Sequence, residues 1–279
     1  MVAGRGNLGR SLARAWRRAG HRVRLVPARG GVPALVRLLH SHPEAIVFLT
    51  VPDGAIATLA RAIAGRDVVP SSVAFVHCSG ALGLGVLGSL GSAHAVGSFH
   101  PLQSFPNPRS PEAFRGSLVG IDASTVPLRR RLERRARDLG AKPRSVAQTE
   151  RVIYHAAAVF ASNYLVALAG LAVELLETIG WSEADAIAGL VPLMEGALEE
   201  VARRGPARAL TGPIRRGDVE TVTHHLEGLS GGPVADLYRM LGRIALELAT
   251  EAGLEPAAAR RVNRALTRDV AATRRRRQR

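Results

Sequence analysis

Short apolar runs rich in β-branched residues alternate with helical patterns through the first half of the chain. Helical spacing of apolar positions predicts helices over Gly9–Ala19, Gly54–Ala64 and Pro127–Leu139. The predicted strands are Arg22–Val26, Ala45–Thr50, Val73–His77, Ala95–Phe99, Leu118–Ile121 and Pro143–Val146. Strands that alternate with helices are typical of a parallel sheet covered by helices. We therefore predict an α/β domain over residues 1–147.

The pattern changes near residue 148, where strand signals end. Ser182 is a predicted N-cap, because acidic residues follow it in the first turn. Glycine and proline residues separate long segments that are rich in Ala, Leu and Glu. These predicted helices are Thr149–Ile179, Ser182–Arg204, Asp218–Leu229, Pro233–Ala252 and Pro256–Thr273. We predict an all-α domain over residues 148–279.

The composition supports a folded protein and excludes several classes. Of the 279 residues, 47% are hydrophobic and 4% aromatic, so a core of Leu, Val and Ala is expected rather than general disorder. A single cysteine, Cys78, excludes an internal disulfide framework and a multi-cysteine metal cluster. The nine histidines include no H-x-x-x-H pair, so we predict no metal site. We find no run of 18 apolar residues and no signal sequence, and we predict a cytoplasmic protein without a membrane partner.

The strongly positive charge is explained without a nucleic-acid site. The net charge is +15, and all but one of the 38 basic residues are arginine, the exception being Lys142. Such a skew favours a general preference for Arg over Lys. The arginines are dispersed apart from dense runs at 129–137 and 274–279, and no recognised nucleic-acid motif accompanies them. We expect nonspecific polyanion binding at low salt but no specific nucleic-acid partner.

A glycine-rich motif opens the first predicted helix. Gly4-Arg5-Gly6-Asn7-Leu8-Gly9 matches G-x-G-x-x-G, and a helix and then a strand follow it. This spacing lets the backbone approach a pyrophosphate closely, with the free N–H groups of the helix N-terminus facing it. Only three residues precede the motif, fewer than a full strand needs. We predict that these six residues bind a dinucleotide and that the α/β domain is of the Rossmann type.

The end of the second strand bears on the identity of the dinucleotide. An NAD-binding domain usually places Asp or Glu there to bind the ribose 2′-hydroxyl, and this segment contains neither. Arg29 lies twenty residues after Gly9 and is the candidate partner of a 2′-phosphate, with Arg24 as the less favoured helper because it lies within the predicted strand. We therefore predict NADP, with NAD as the alternative.

The segments after later strands supply further candidates. Val51 and Pro52 follow the third strand and are predicted to contact the cofactor, while Asp53 is predicted to cap the next helix. Ser79 follows the fourth strand and is a candidate hydrogen-bond donor to the substrate. His100 follows the fifth strand and is the candidate acid or base for the proton that accompanies hydride transfer. Two other residues, His77 and Cys78, are predicted to be structural.

Two polar residues occur on an otherwise apolar helix at the start of the second half. His155 and Asn163 are eight positions apart, slightly more than two helical turns, so we predict that they share a face. Such a pair either faces a binding crevice or is satisfied within the core.

Six segments resemble those of the Rossmann-like proteins that carry the helical domain DUF2520. This resemblance implies an NAD(P)-dependent oxidoreductase whose substrate is undefined, and it extends over nearly the whole chain. The segments are Gly4–Gly9, Thr50–Asp53, His77–Leu82, Gly97–Phe105, Tyr154–Leu168 and Leu210–Asp218.

More distantly, the layout resembles pyrroline-5-carboxylate reductase, prephenate dehydrogenase and the β-hydroxyacid dehydrogenases. Those enzymes join a nucleotide-binding domain to an all-helical domain of the 6-phosphogluconate dehydrogenase C-terminal type, which implies a homodimer formed through the helical half. His100-Pro101 resembles the His-Pro pair of prephenate dehydrogenases, whose histidine acts in catalysis. The histidines of their second polar motif are absent near Asn163. No lysine stands near His155, so the lysine chemistry of β-hydroxyacid dehydrogenases is not implied.

The segment Thr211–Asp218 has two interpretations. In the first it is structural, with a tight Gly-Pro turn and Asp218 as the cap of the next helix. In the second, Arg215 or Arg216 reaches into the crevice of a partner subunit and holds an anionic substrate.

These patterns together predict an NADP-dependent oxidoreductase that acts on a small carbonyl, imine or hydroxy-acid substrate. His100, His155, Asn163 and Ser79 are the predicted catalytic and substrate-binding residues. Two alternatives come from other classes: a dinucleotide-binding sensor or scaffold without turnover, and an arginine-driven polyanion binder.

Overall fold

A computed structural model describes residues 1–66 and 69–268. The chain divides into two compact units, Met1–Leu168 and Ala169–Arg279, and each is described by itself below. The division falls later than the predicted change at residue 148. The arginine run at 274–279 and the last residues of the predicted helix Pro256–Thr273 lie outside the described residues.

The first unit contains a single sheet, to which seven strands belong in the described residues. Its spatial order is β2-β1-β3-β4-β5-β6-β7. Each of the six predicted strands is present, although most are shorter than predicted or shifted by a residue or two. The strands are β1 Val2–Ala3, β2 Leu25–Val26, β3 Ile46–Leu49, β4 Ala74–His77, β5 Val96–Pro101, β6 Leu118–Ala123 and β7 Lys142–Ser145.

The strand order reverses beside β1 and so locates a crevice. β1 pairs in parallel with β2 on one side and with β3 on the other. The chain therefore leaves β1 in one direction for β2 and crosses to the other side for β3. In open α/β sheets, ligands bind at such a switch point, at the carboxyl ends of the strands. The glycine-rich loop and Thr50–Asp53 lie at these ends.

The sheet is parallel from β2 to β5, but β6 runs antiparallel to β5. A parallel neighbour requires a crossover, usually through a helix. The connection from β5 to β6 contains only a short 3-10 turn at Pro111–Phe114 among the residues described there. The return is therefore antiparallel, which the strand pattern of the sequence did not indicate.

Helices cover both faces of the sheet, so the predicted Rossmann-type α/β fold is confirmed. The helices are α1 Asn7–Arg18, α2 Val32–His40, α3 Asp53–Ala64, α4 Gly88–Gly91, α5 Val126–Arg137 and α6 Arg151–Val159. The sequence analysis missed α2. One core cluster joins α1 and α5 to the sheet and includes Leu12, Phe99 and Leu132. The other joins α2 and α3 to the sheet and includes Leu39 and Ile56.

The second unit is helical throughout its described residues, as predicted. Leu226, Leu246, Val262 and Leu266 belong to its core cluster. The helices are α7 Leu165–Glu177, which begins in the first unit, and α8 Glu183–Arg204, α9 Pro206–Ala209, α10 Gly212–Arg216, α11 Val219–Gly228, α12 Gly232–Glu251 and α13 Pro256–Thr267.

The predicted caps of the helical unit are confirmed. Ser182 accepts a hydrogen bond from the backbone N–H of Asp185, and Asp218 accepts one from that of Thr221. Arg215 donates to the carbonyl of Ala252 at 3.0 Å. The contacts of Asp218 and Arg215 therefore support the structural interpretation of the Thr211–Asp218 segment.

A continuous helical segment over residues 148–177 has an unusually exposed apolar surface. α6 and α7 are joined by a π-helical turn at Phe160–Tyr164, and Val152, Ile153 and Val166 are each more than 70% exposed. The expectation that the chain has no long apolar run is therefore wrong. The segment is long and apolar enough to cross a membrane by length and composition, with a mean hydropathy of 1.9 over its best window, none of which is buried. A single helix of this kind is weak evidence for a membrane span.

Candidate active site

The glycine-rich loop is folded tightly against the end of β3. Gly4 has φ +131°, and a Cβ there would lie 2.3 Å from the Thr50 carbonyl oxygen. A Cβ at Gly9 would lie 2.2 Å from the Gly4 carbonyl oxygen. The Thr50 hydroxyl donates to that same Gly4 oxygen at 3.1 Å. Both glycines are therefore required by the packing of the loop.

Gly6 differs from its two neighbours because it faces open space. Apart from its two neighbours in the chain, no atom of the described residues lies within 4 Å of the position that its Cβ would take. Gly6 is the N-cap of α1, no side chain caps the helix, and its first turn contains no acidic residue. The first N–H groups of α1 are thus free to bind an anion. These features fit the pyrophosphate of a dinucleotide.

The other residues of the motif hold the loop in place. Leu8 packs against the core cluster of α1, and the Arg5 carbonyl accepts a hydrogen bond from Arg10. Asn7 donates to the carbonyl oxygens of Phe105 and Pro106, at 3.1 and 2.8 Å. Asn7 therefore joins the glycine-rich loop to the segment that follows His100.

The predicted ribose site is accessible. Arg29 is exposed in the loop after β2, and no acidic residue lies between Leu25 and Gly31. Val51 and Pro52 lie between the end of β3 and α3, and Pro52 is exposed.

The predicted role of Asp53 as a helix cap is wrong. The N-cap of α3 is Pro52, and no side chain caps this helix. The Asp53 carboxylate instead accepts a hydrogen bond from the Ser79 hydroxyl at 2.7 Å. The Ser79 oxygen in turn accepts from the backbone N–H groups of Ala81 and Leu82. Ser79 thus orients a carboxylate across the ends of β3 and β4.

His100 and His155 approach each other across Gly80. Their ring centroids are 6.3 Å apart. A Cβ at Gly80 would lie 2.9 Å from His100 Nε2 and 2.9 Å from His155 Nδ1. His155 Nδ1 is buried and has no hydrogen-bond partner among the described residues. The absence of a side chain at Gly80 is what allows these two imidazoles to converge.

Tyr154 holds the other side of the His100 ring. His100 Nδ1 lies 2.9 Å from the Tyr154 hydroxyl, which also lies 3.4 Å from the His100 carbonyl oxygen. Gly120 leaves room for this hydroxyl, since a Cβ there would lie 2.8 Å from it.

The site disfavours a charged imidazole at His100. Burial, together with nearby His155 and Arg151, lowers the pKa of His100 to about 4, against the opposing effect of Asp53. The pKa of Tyr154 is raised, chiefly by burial. Both side chains are therefore neutral at physiological pH.

A row of polar side chains crosses the sheet beneath the site. His77, Ser98 and Asp122 are register partners on β4, β5 and β6, so their side chains share one face. Arg151 of α6 lies over the row, donates to the Ser98 hydroxyl and lies 3.9 Å from Asp122. Burial lowers the pKa of His77 to about 3, with Arg151 and His100 adding to the effect. His77 and Cys78 are both buried, and Cys78 is a free thiol whose pKa burial raises.

The structure brings together several of the predicted site residues. His100, His155 and Ser79 line the same part of the first unit, together with Asp53. Asn163 is exposed within the π-helical turn that follows α6, and its shared face with His155 stays a prediction.

Sequence reasoning missed three residues of this arrangement: Tyr154, Arg151 and Asp122. Their spacing carried a signal, because Arg151, Tyr154 and His155 are related by three and four positions and so share a helix face. Asp122 is a charged residue within a buried strand, which is also unusual. Among the described residues, no group of three or more His, Cys, Asp or Glu side chains could hold a metal ion.

Comparison with known families identifies part of the chain. The family model described as a domain of unknown function, DUF2520, matches residues 117–245, slightly less than half of the chain. The predicted resemblance to DUF2520 proteins is confirmed, and the match begins early enough to include β6 and β7. No curated protein sequence matches the chain.

Solved structures share the fold of this chain. A proposed NADP oxidoreductase from Bacteroides fragilis is 26% identical, with 88% of this chain and 96% of that chain covered and a TM-score of 0.68. A protein from Thermotoga maritima is 25% identical, with 90% and 98% covered and a TM-score of 0.69. A pyrroline carboxylate reductase from Plasmodium falciparum, solved with NADP bound, is 13% identical, with 95% and 97% covered and a TM-score of 0.54. The last likeness is one of fold alone.

Proposed function

We propose that this protein is an NADP-dependent oxidoreductase that transfers a hydride between NADP(H) and a small carbonyl, imine or hydroxy-acid substrate. The open face of Gly6 above the uncapped N-terminus of α1 carries the proposal, because this is the geometry that a bound pyrophosphate needs. The likeness to a proposed NADP oxidoreductase supports it.

The cofactor would be held by Gly4–Gly9, by Val51 and Pro52, and by Arg29 near the ribose. The exposed guanidinium of Arg29 and the lack of an acidic residue after β2 favour NADP over NAD. The cofactor supplies a hydride donor or acceptor, and the protein positions the substrate and handles the proton.

His100 is the proposed proton acceptor or donor, because its ring converges with His155 at Gly80 and is oriented by Tyr154. His155 Nδ1, which has no described partner, is available to bind the reacting group of the substrate. Ser79 and Asp53 form a second pair of polar groups for the substrate. In the oxidative direction, His100 would take the proton that the substrate O–H or N–H releases. In the reductive direction it would return that proton to the same atom.

The proposed division of labour places dinucleotide binding in residues 1–147. Residues 148–279 would supply substrate contacts, with Asn163 among them, and a homodimer interface. The exposed apolar side chains of α6 to α8 favour a second copy of this chain as partner, since a monomer rarely exposes such a surface. Residues 152–173 contain no Asp, Glu, Lys or Arg that could recognise a charged partner. We propose a cytoplasmic protein with neither a membrane nor a specific nucleic acid as its partner.

Titration with NADPH and NADH, followed by a turnover screen, tests the proposed function. We expect NADPH to bind more tightly, and the nicotinamide absorbance to change when a carbonyl, imine or hydroxy-acid substrate is added. Binding without turnover across a broad panel would instead indicate a sensor or scaffold. A failure of the folded chain to bind either nucleotide would overturn the proposal.

Arg29→Ser tests the choice of cofactor, with Arg24→Ser as its matched control. Loss of a charge-assisted hydrogen bond costs about 1.5–3 kcal/mol, so NADPH affinity should fall about tenfold to a hundredfold and NADH affinity should not change. An equal loss for both nucleotides would contradict recognition of the 2′-phosphate.

A further inference from the structure

The two ring nitrogens of His100 have different surroundings. Nδ1 lies 2.9 Å from the Tyr154 hydroxyl, and the two rings are nearly perpendicular, with centroids 5.5 Å apart. Nε2 has no hydrogen-bond partner among the described residues, and it is not one of the unpartnered atoms that the fold buries. The side of the ring that carries Nε2 faces Gly80. A substrate can therefore reach Nε2, whereas the Tyr154 hydroxyl covers Nδ1.

We propose that Tyr154 is a positioning residue that holds His100 in the tautomer protonated at Nδ1, so that Nε2 presents a lone pair to the substrate. The use of this lone pair in the reaction rests on the proposed function. The tautomer does not, because it is a property of the protein without cofactor or substrate.

The two contacts of the Tyr154 hydroxyl support this tautomer. A hydroxyl has one proton to donate, and its oxygen can accept a hydrogen bond at the same time. The oxygen lies 2.9 Å from His100 Nδ1 and 3.4 Å from the His100 carbonyl oxygen. The carbonyl can only accept, so the hydroxyl donates to it and Nδ1–H donates to the hydroxyl oxygen. The opposite tautomer directs the hydroxyl proton at Nδ1 and leaves the two oxygen atoms with no proton between them.

The fold places the Tyr154 hydroxyl where it can make both contacts. Tyr154 belongs to α6, and a Cβ at Gly120 would lie 2.8 Å from its hydroxyl oxygen. Gly120 is the register partner of His100 on the neighbouring strand β6. The hydroxyl thus lies against the β5–β6 pair and reaches both the side chain and the main chain of His100. A hydrogen bond from Nδ1–H orients the ring and stabilises it when Nε2 takes up a proton.

A second pair of histidine and tyrosine residues supplies an internal comparison. His225 Nδ1 lies 2.9 Å from the Tyr238 hydroxyl, and these two rings are perpendicular, with centroids 5.7 Å apart. The Tyr238 hydroxyl has no second partner among the described residues, so its proton is available to His225 Nδ1. We therefore expect His225 to carry its own proton on Nε2, which is the opposite tautomer from that of His100.

Nitrogen NMR of the imidazole rings in the full-length protein tests the proposal, at about pH 8, where an ordinary histidine is neutral. The chemical shifts of the two ring nitrogens report which one carries the proton, and His100→Asn assigns the His100 signals. Wild-type His100 should carry its proton on Nδ1, and His225 should carry it on Nε2. Tyr154→Phe removes only the hydroxyl. His100 should then change to the Nε2–H form, which a neutral histidine side chain favours when Nδ1 has no acceptor.

Two further variants separate this role from simple packing. Tyr238→Phe is the matched control, because it removes the same group from the other pair, and both histidines should keep their wild-type tautomers. Gly120→Ala retains the Tyr154 hydroxyl but displaces it from His100, so His100 should change to the Nε2–H form as in Tyr154→Phe. The wild-type spectrum tests the tautomer even if a variant does not fold.

Any of three results would refute the proposal. The first is a wild-type His100 whose proton is not predominantly on Nδ1, and the second is a folded Tyr154→Phe or Gly120→Ala protein in which it stays there. The third is a His225 that also carries its proton on Nδ1, since the second contact of the hydroxyl would then not decide the tautomer. The measurement uses neither cofactor nor substrate. A protein that failed to bind NADPH would therefore disprove the proposed function and leave this test intact.

Discussion

Replacement of Gly6 by alanine should separate cofactor binding from folding. Gly6 has φ −67° and ψ 179°, a conformation that alanine adopts without strain, and the added methyl group meets no atom within 4 Å. The unfolded state loses freedom when glycine becomes alanine, so the variant should be as stable as the wild type or more stable, by about 0.4–1 kcal/mol. Any loss of function must then come from the ligand.

The same methyl group should weaken dinucleotide binding. In this motif the second glycine allows the backbone to approach the pyrophosphate, and a Cβ there displaces the phosphate from the helix N–H groups. Loss of one charge-assisted hydrogen bond costs about 1.5–3 kcal/mol, which corresponds to about a tenfold to hundredfold weaker affinity. Isothermal titration with NADPH measures this loss, and thermal unfolding of the free protein measures stability.

Two further glycine variants define the controls. Gly54→Ala lies in α3, where the new methyl group also meets open space, so neither binding nor stability should fall. Gly9→Ala should destabilise the protein itself, because its methyl group would lie 2.2 Å from a backbone oxygen. An unchanged NADPH affinity in a folded Gly6→Ala protein would refute the assignment of the loop as a dinucleotide site.

Three other predictions concern the site and the exposed helices. The methyl group of Gly80→Ala would lie 2.8 Å from His100 Cε1. This variant should lose about 1–3 kcal/mol of stability by overpacking and about a hundredfold in any turnover rate. Gly85→Ala places its methyl group in open space, so it should change neither the stability nor the rate. His77 and His100 have pKa values of about 3 and 4, below the ordinary histidine value, so the unfolded state binds these protons more readily than the folded state and the free energy of unfolding decreases as the pH falls. Denaturant titrations should show a decrease of about 2 kcal/mol per histidine between pH 6.5 and about pH 5. The decrease should be smaller in His100→Asn. Leu193 lies on the exposed face of α8, and Leu193→Asp should shift the protein from dimer to monomer in light scattering. Val126→Asp, at an exposed position of α5, should leave the dimer intact. A wild-type protein that is monomeric would contradict the proposed interface.

The sequence predicted local structure well, but it predicted poorly those features that depend on contacts between distant parts of the chain. The alternation of strands and helices predicted the α/β unit and the helical remainder, because both periods are local properties of the chain. The antiparallel entry of β6 depends on a connection that lacks a crossover helix, and no periodic pattern marks such a connection. Asp53 illustrates the same limit. Its position at a helix start resembles a cap, yet its carboxylate is bound by Ser79, a residue on another strand end.

The residues of α6 that lie near His100 are close together in the sequence. Arg151, Tyr154 and His155 are related by three and four positions and so lie within one turn of the helix. A search of this helix for polar residues at spacings of three and four would have found the group that the fold places near His100.

Much of the candidate site depends on glycines, because at these positions a side chain would block a close contact. Gly4 and Gly9 let the loop close on Thr50, Gly80 lets two imidazoles converge, and Gly120 leaves space for the Tyr154 hydroxyl. Only Gly4 and Gly9 belong to a recognisable sequence motif. Gly80 and Gly120 are required because side chains from distant parts of the chain pack against them. Gly120 is the register partner of His100 on the adjacent strand. A side chain at Gly120 would move Tyr154 away from His100 Nδ1, and a side chain at Gly80 would move the ring from the other side. The orientation of the His100 ring therefore depends on the two glycines, Gly80 and Gly120, as much as on its hydrogen bond to Tyr154.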